Sequence, residues 1–344
     1  DSIFSDGFPW VEWKFPQPYH YRSKVMNVTV ASHPMVPMSF SLTRKNWTNW
    51  GRGWNPRTKT NEIENVDKGT FFQAQWDHAI ASAPQIVSVG GWNEWIAYKQ
   101  PYDGEYMLCD AVTKEYSRDI EPMVGGYEDA FYLQLIANIH RYKGITGKSI
   151  VYAPQTISQS MIDAKWRTVR YIVHNTDGAF MARDAYGGAP TVRYVQDAPE
   201  NKLVEVRVSY DRDNIYFLLR GKDKFSCYNG RKNWLNLFIG TGSPKLQGWE
   251  SYNYIIGRNI GENSISIEQL TKGFNIYKKA EGRFIQEADA IQISLPRSAL
   301  GLDSEKEFYF KVAMGVSKPS DIMNYYTTGC AMPMGRLSYL YVMK

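Results

Sequence analysis

The sequence has little cysteine and no long apolar run, and each absence excludes a class of protein. Its 344 residues include 3 Cys that stand far apart, so neither a disulfide framework nor a cysteine-based metal site is expected. No apolar stretch approaches the roughly 20 residues that a membrane-spanning helix requires. The chain opens on DSIFSDGFPW rather than on a secretory leader, as a mature secreted protein also would.

Charge of one sign is concentrated nowhere, although the formal net charge is +5. Lysine and arginine are spread along the chain, and no basic block indicates nucleic-acid binding. Neither a phosphate-binding loop nor a Ser-His-Asp pattern is recognisable, and the glycines of GTGSP (240–244) predict only a turn. We therefore expect no nucleic-acid partner, no membrane span, no cofactor and no metal.

Aromatic residues are abundant, at 15% of the chain, with 11 Trp and 24 Tyr. Most are expected in the core, since large side chains dominate core burial. Aromatic rings also stack on the flat C–H faces of sugar rings. The stretch NWTNWGRGWNP (46–56) brings three tryptophans into one loop, and we interpret it as a lid or a subsite wall.

The first part of the chain, residues 1–150, alternates short β-rich runs with helical stretches. Examples are KVMNVTVAS (24–32), FFQAQWDHAIASAP (71–84), QIVSVGGWNEW (85–95) and the amphipathic helical stretch 127–143. Such strand–loop–helix units indicate a parallel α/β fold. A complete (β/α)8 (TIM) barrel needs about 250 residues, so we expect the C-terminal part of a barrel, with its N-terminal half upstream or in another chain. The alternative is a smaller open α/β layer.

Residues 165–344 are predicted to be all-β, and residues 151–164 to link the two domains. Runs such as VEVRVSYD (204–211), NIYFLLRG (214–221) and FYFKVAMGV (308–316) are separated by turn signals rich in Asn, Asp and Gly. Many strands with this spacing favour an antiparallel β-sandwich.

The strongest functional signal is VGGWNEW (89–95), in which Trp92, Asn93, Glu94 and Trp95 directly follow an apolar strand. At the C-terminal end of a barrel strand, a carboxylate is placed to act as acid, base or nucleophile on a glycosidic bond. The alternative is a solvated Glu94 between two core tryptophans.

Glycoside hydrolysis generally needs a second carboxylate. The best candidate is Glu12, which stands between two tryptophans in PWVEWKFP (9–16). Asp119 and Glu121 are weaker candidates, because pairing with Arg118 would give them a structural role in the loop. The predicted catalytic pair is therefore Glu94 and Glu12, and the predicted sugar-binding residues are Trp92, Asn93, Trp95, His33, Trp10 and Trp13.

The segments WNEW (92–95), EYSRDIEP (115–122) and GGYEDAFYLQLIANIHRYKG (125–144) together resemble the last strand–helix unit of glycoside hydrolases related to the family 99 and family 71 barrels. The resemblance implies a secreted, periplasmic or cell-surface protein that acts on a poly- or oligosaccharide. Family 99 enzymes usually have a second Glu where this chain has Ala97. This departure supports the alternative, a non-catalytic carbohydrate-binding protein of a polysaccharide-utilisation system.

In the second part, NWLNLFIGT (233–241) followed by QGWESYNYIIGR (247–258) resembles the middle strands of family-9 carbohydrate-binding modules. The resemblance implies a sugar-binding sandwich, with Trp234, Tyr325 and Tyr326 as candidates for its aromatic platform. A structural or interaction module without sugar chemistry stays open as a third hypothesis.

Overall fold

The protein is described by a computed structural model that divides into two compact units, residues 1–147 and 148–344. The described residues are 17–21, 24–32, 50–93, 98–109, 113–123, 125–145, 149–176, 182–186, 191, 193–242 and 248–344. Within these ranges no helix has the length and apolar character needed to cross a membrane.

The first unit contains a small mixed sheet and two helices. Its described elements are β1 (His20–Tyr21), β2 (Val25–Val28), β3 (Trp54–Asn55), β4 (Thr60–Asn61), a 3-10 helix (Ile63–Lys68), α1 (Thr70–Ser82), β5 (Ile86–Val89), β6 (Tyr98–Tyr102), β7 (Glu105–Cys109) and α2 (Ala130–Tyr142). Strands β2 and β5 pair in parallel, while β1 pairs antiparallel with β2. The pairs β3–β4 and β6–β7 are separate antiparallel hairpins.

Both helices pack on this sheet through apolar residues at helical spacing. Phe72 and Trp76 of α1 and Phe131 of α2 are buried in one cluster with Met26 and Val28 of β2. The helical periodicity of segments 71–84 and 127–143 therefore corresponds to helices that cover one sheet face.

The prediction that this unit is part of a (β/α) barrel is wrong. The described residues contain one parallel strand pair in the first unit, where part of a barrel would have a succession of them. After β5 the chain forms the hairpin β6–β7 instead of another helix-connected strand. Periodicity identifies a strand and a helix, but it does not show how many strands pair side by side.

The second unit is mainly antiparallel β structure. Its strands are β8 (Val151–Tyr152), β9 (Tyr171–His174), β10 (Arg183–Tyr186), β11 (Arg193–Gln196), β12 (Leu203–Tyr210), β13 (Asn214–Gly221), β14 (Asn236–Gly240), β15 (Tyr254–Ile260), β16 (Ser264–Thr271), β17 (Asn275–Glu287), β18 (Ala290–Pro296), β19 (Glu307–Met314), β20 (Cys330–Met332) and β21 (Tyr339–Met343). The described helices here are short: two 3-10 helices, Ala164–Thr168 and Ser298–Leu300, and α3 (Asn324–Thr327).

Twelve of these strands form one continuous sheet, in the order β8-β21-β19-β14-β15-β16-β17-β18-β13-β12-β9, with β20 paired to β19. The two ends of this sheet approach each other. The ring of Tyr152 on β8 lies 5.2 Å from that of Tyr171 on β9, and the Gln155 N–H donates to the Tyr210 carbonyl (2.7 Å). The sheet is thus nearly closed and barrel-like, which corrects the prediction of a β-sandwich.

Side chains fill the interior of the curled sheet. On β13, Ile215, Phe217 and Leu219 belong to the interior cluster, while Tyr216 and Leu218 point outward, as strand alternation requires. The outward residues are covered by the segment that precedes β9, where the Trp166 indole N–H donates to Gln292 Oε1 (2.7 Å). Both faces of β13 are therefore buried, which explains its nearly continuous apolar sequence.

A lysine side chain lies inside this second unit. Lys311, on β19, is fully buried, and its ammonium donates to the Pro333 carbonyl. Burial lowers the pKa of Lys311 to about 7. The pKa of Lys311 is lower in the folded state than in the unfolded state. Between about pH 7 and 10, the unfolded state therefore keeps Lys311 protonated while the folded state does not. The resulting destabilisation is present below pH 7 and is relieved as the pH rises.

We expect the unfolding free energy contributed by Lys311 to rise by roughly 1 kcal/mol per pH unit from pH 7 towards pH 10. The variant Lys311→Met should lose this component of the slope. Chemical denaturation at pH 7, 8 and 9 measures it, with the exposed Lys318→Met as control. Equal slopes for Lys311→Met and the control would contradict the assignment.

Candidate functional site

The structure describes two of the predicted site residues, Trp92 and Asn93. The other predicted residues lie outside the described residues: Glu94, Trp95, Glu12, Trp10, Trp13 and His33. Trp92 and Asn93 directly follow β5, at the carboxyl edge of the parallel pair β2–β5. In open α/β sheets, this edge is where ligands usually bind.

At this edge the chain places Asn93 beside a carboxylate. The Asn93 Nδ2 donates to Glu121 Oε2 (2.6 Å), and the Trp92 carbonyl accepts from the backbone N–H of both Ile120 and Glu121 (2.9 Å each). The Trp92 side chain is 47% exposed, and its ring meets Tyr132 edge-on at 6.0 Å. The structure thus brings Glu121, the weaker candidate in the sequence, next to the Trp-Asn motif.

The close approach of these two segments requires a glycine. Gly91 has φ 80° in the left-handed region, and a Cβ there would lie 2.4 Å from the Arg118 carbonyl oxygen. Any side chain would push the segments apart. The contact with the 118–121 segment therefore requires glycine at position 91.

A buried guanidinium holds this segment from the other side. Arg52 is fully buried, and its Nε donates to the Ser117 carbonyl (2.6 Å). Its Nη2 donates to Ser117 Oγ (2.8 Å) and to the Asp119 carbonyl (3.0 Å). The Ser117 hydroxyl in turn donates to the Asp119 carboxylate (2.6 Å). One cation thereby fixes the turn that leads to Glu121.

The same guanidinium lies over two aromatic rings, with its Cζ 4.2 Å from the Tyr127 centroid and 4.4 Å from the Phe131 centroid. Desolvation lowers the pKa of Arg52 and raises the pKa of Tyr127 to about 12. Arginine stays protonated in such surroundings because its intrinsic pKa is so high. Arg52 was not predicted from the sequence. The one available signal was its place in the tryptophan loop.

Trp50, Trp54 and Pro56, in the described part of the tryptophan loop, line a cavity of about 570 Å³ in the first unit, which we call the aromatic cavity. The rings of Trp50 and Trp54 stack at 4.8 Å and 13°. Ser32 exchanges two hydrogen bonds with the Trp50 backbone and anchors the loop just beyond β2. The described lining residues are Gln17, Pro18, Trp50, Trp54, Pro56, Lys59, Phe71, Ala74, Gln75 and His78.

The aromatic cavity also has a buried polar group. Gln75 on α1 is 2% exposed, and its Oε1 accepts from the Thr29 N–H (3.0 Å). Its Nε2 has no hydrogen-bond partner among the described residues. Leaving such a donor buried and unsatisfied costs roughly 1–3 kcal/mol.

Two platform candidates in the second unit are not accessible. Trp234 and Tyr325 are each 2% exposed. The Trp234 indole N–H donates to Ser226 Oγ (2.9 Å), and the Tyr325 hydroxyl donates to the Pro319 carbonyl (2.9 Å). Tyr325 packs inside the unit, and Trp234, although it lines a separate cavity of about 480 Å³, exposes almost none of its ring.

Comparisons of the chain with protein-family models, with curated proteins and with solved structures gave no match. The resemblances to glycoside hydrolase families 99 and 71 and to family-9 modules therefore stay predictions. What the site binds has to be inferred from its own side chains.

Replacing Arg52 by Met keeps most of the volume but removes the donor that serves the Ser117 and Asp119 carbonyls and the Ser117 hydroxyl. We expect the first unit to lose about 3–5 kcal/mol of stability, the usual effect of removing one partner of a buried charged network. Hydrogen exchange of the 115–121 amides should accelerate accordingly.

Arg141→Met is the matched control. It removes an exposed ion pair with Asp77 (2.9 Å), which should contribute under about 1 kcal/mol. Unchanged exchange at 115–121 in Arg52→Met would show that the guanidinium does not hold this segment.

Proposed function

We propose that the protein binds a poly- or oligosaccharide through the aromatic cavity and does not hydrolyse it. The observation that carries the proposal is the stacked pair Trp50–Trp54, which lines a cavity together with the buried amide of Gln75. We further propose that it acts where polysaccharides occur, as a secreted, periplasmic or cell-surface protein.

The chemistry of the lining suits a sugar. Small-ligand sites are typically 300–1,000 Å³, lined mainly by apolar and aromatic groups with a few fixed polar ones. The aromatic cavity has about 570 Å³, with the half-buried rings of Trp50 and Trp54 as aromatic walls. These rings match the C–H face of a pyranose, while the Gln75 amide donates to a hydroxyl or ring oxygen.

A non-catalytic role is supported by the cavity's lack of acids. Glycosidases generally use two carboxylates across the scissile bond. Among the described residues that line the cavity there is neither Asp nor Glu. The first unit is also not part of a (β/α) barrel, so the barrel argument for opposed catalytic carboxylates no longer applies.

Trp54→Ala should weaken binding at least about tenfold. Covering about 60 Å² of ring is worth about 1.5 kcal/mol at 25 cal/mol per Å², which corresponds to roughly that factor. Affinity electrophoresis in gels with soluble β-glucan, mannan, xylan, galactan or polygalacturonate measures retardation. Near-ultraviolet circular dichroism checks that the variant is folded.

Trp92→Ala is the matched control, because this exposed ring does not line the aromatic cavity. It should be retarded like the wild type. If Trp92→Ala lost retardation and Trp54→Ala kept it, the binding site would lie at the edge of β5 instead. If no polysaccharide retarded the wild type, the proposal would be wrong.

A second candidate, glycoside hydrolysis, is favoured by one observation: Asn93, which precedes Glu94 in sequence, is hydrogen-bonded to Glu121 (2.6 Å). In this candidate Glu94 acts with Glu121 or Glu12 as the pair of carboxylates. The sugar-binding residues are then those that the sequence predicts around the WNEW motif.

For this candidate, Glu94→Gln should reduce turnover by about 10²–10⁴ without changing the melting temperature, because Gln keeps the shape but neither gives a proton nor attacks. Release of reducing ends from the same polysaccharides measures it, with Glu115→Gln as the control. Absence of turnover in the wild type would remove the candidate, and full turnover in Glu94→Gln would remove Glu94 from it.

A further inference from the structure

We infer that the aromatic cavity takes an anionic saccharide, one that carries a carboxylate or a sulfate group, and that Lys59 binds that group. The inference rests on the proposed function and specifies its ligand class. It starts from the charge of the lining. Lys59 and His78 are the ionisable side chains among the described lining residues, so every charge that this described part of the lining can carry is positive.

The carboxylates closest in sequence are engaged elsewhere. Glu62 accepts hydrogen bonds from Thr58 (2.9 Å) and Asn55 (2.8 Å), and these bonds lower the pKa of Glu62. Asp77 is paired with Arg141 (2.9 Å), although it directly precedes His78 in the helix. Glu62 therefore keeps its negative charge, but neither acid is among the described residues that line the cavity.

Lys59 itself makes no ion pair within the described part of the chain. The residue is exposed and lines the cavity, so its ammonium is available to a ligand. A lysine ammonium forms charge-assisted hydrogen bonds with carboxylate or sulfate oxygens, and these are stronger than bonds between neutral groups. A neutral sugar would leave this charge unused.

The backbone holds Lys59 in place. Its N–H donates to the Asn55 carbonyl (2.8 Å) and closes the turn between β3 and β4. Its φ of 56° lies in the left-handed region, where a residue other than glycine or asparagine costs of order 1 kcal/mol. The turn therefore holds the backbone of Lys59, four residues after Asn55, at the cavity that Trp54 also lines.

Lys59→Asn is the sharpest variant. Asparagine tolerates the left-handed conformation, so the substitution removes the charge without adding backbone strain. Lys143→Asn, at an exposed lysine after α2 that does not line the cavity, is the matched control with the same change of net charge. Both variants are expected to keep the melting temperature of the wild type.

Isothermal titration at low salt compares two matched pairs of probes: tetragalacturonate with its methyl ester, and a sulfated carrageenan oligosaccharide with its desulfated form. The wild type and Lys143→Asn should bind one of the two anionic probes about three- to fivefold more tightly than its neutral partner, in line with a partly exposed ion pair. This preference should fall with added salt and disappear in Lys59→Asn. The pair that shows it identifies carboxylate or sulfate.

Each contrary result has a separate meaning. Equal binding of the anionic and neutral probes overturns the charge inference and leaves the proposed function standing. A preference that persists in Lys59→Asn overturns the role of Lys59. If none of these probes and no neutral polysaccharide binds, the proposed function fails, and the ligand class fails with it.

Discussion

The arrangement of the first unit depends on the buried guanidinium of Arg52. Its side chain satisfies acceptors on Ser117 and Asp119 and lies against the ring of Phe131 in α2. Its backbone N–H donates to the Glu115 carbonyl (2.8 Å). These bonds offset part of the cost of removing the arginine from water, while its Nη1 has no hydrogen-bond partner among the described residues. A single residue therefore joins the tryptophan loop, the 115–121 segment and α2.

The aromatic cavity follows from that junction. The Arg52 carbonyl accepts from the Phe71 N–H (3.2 Å), so the residue between Trp50 and Trp54 is tied to the start of α1. Ser32 ties Trp50 to the end of β2. With both flanks anchored, the two rings are held in their stacked geometry before any ligand arrives. Such preorganisation reduces the entropic cost of binding.

Local elements could be predicted from the sequence, whereas their assembly could not. The apolar spacing at 71–84 and 127–143 predicts α1 and α2, and the runs 214–221 and 308–316 match β13 and β19. The spacing of apolar residues indicates which face of a helix or strand is buried, but it does not indicate how many strands pair. For this reason the sequence predicted part of a barrel and a two-layer sandwich, where the described residues have one parallel pair in the first unit and one large curled sheet in the second.

The candidate site was predicted only in part, and for a related reason. The WNEW motif drew attention to the end of β5, and Trp92 and Asn93 do lie at a strand edge beside Glu121. The tryptophan loop was recognised as a possible subsite wall, since exposed rings there would be costly. Arg52, Gln75 and Lys59 were missed, because long-range burial and a left-handed backbone have no sequence signature at a single residue.

The most direct test of sugar binding at the aromatic cavity uses the tryptophan indole N–H resonances in ¹H–¹⁵N spectra, titrated with a retarding oligosaccharide. The account predicts that the signals of Trp50 and Trp54 shift. Those of Trp166 and Trp234, whose indole N–H groups are bonded to Gln292 and Ser226, should stay in place as internal references. Shifts confined to tryptophans of the second unit, or no shift at Trp50 and Trp54 under saturating ligand, would contradict the account.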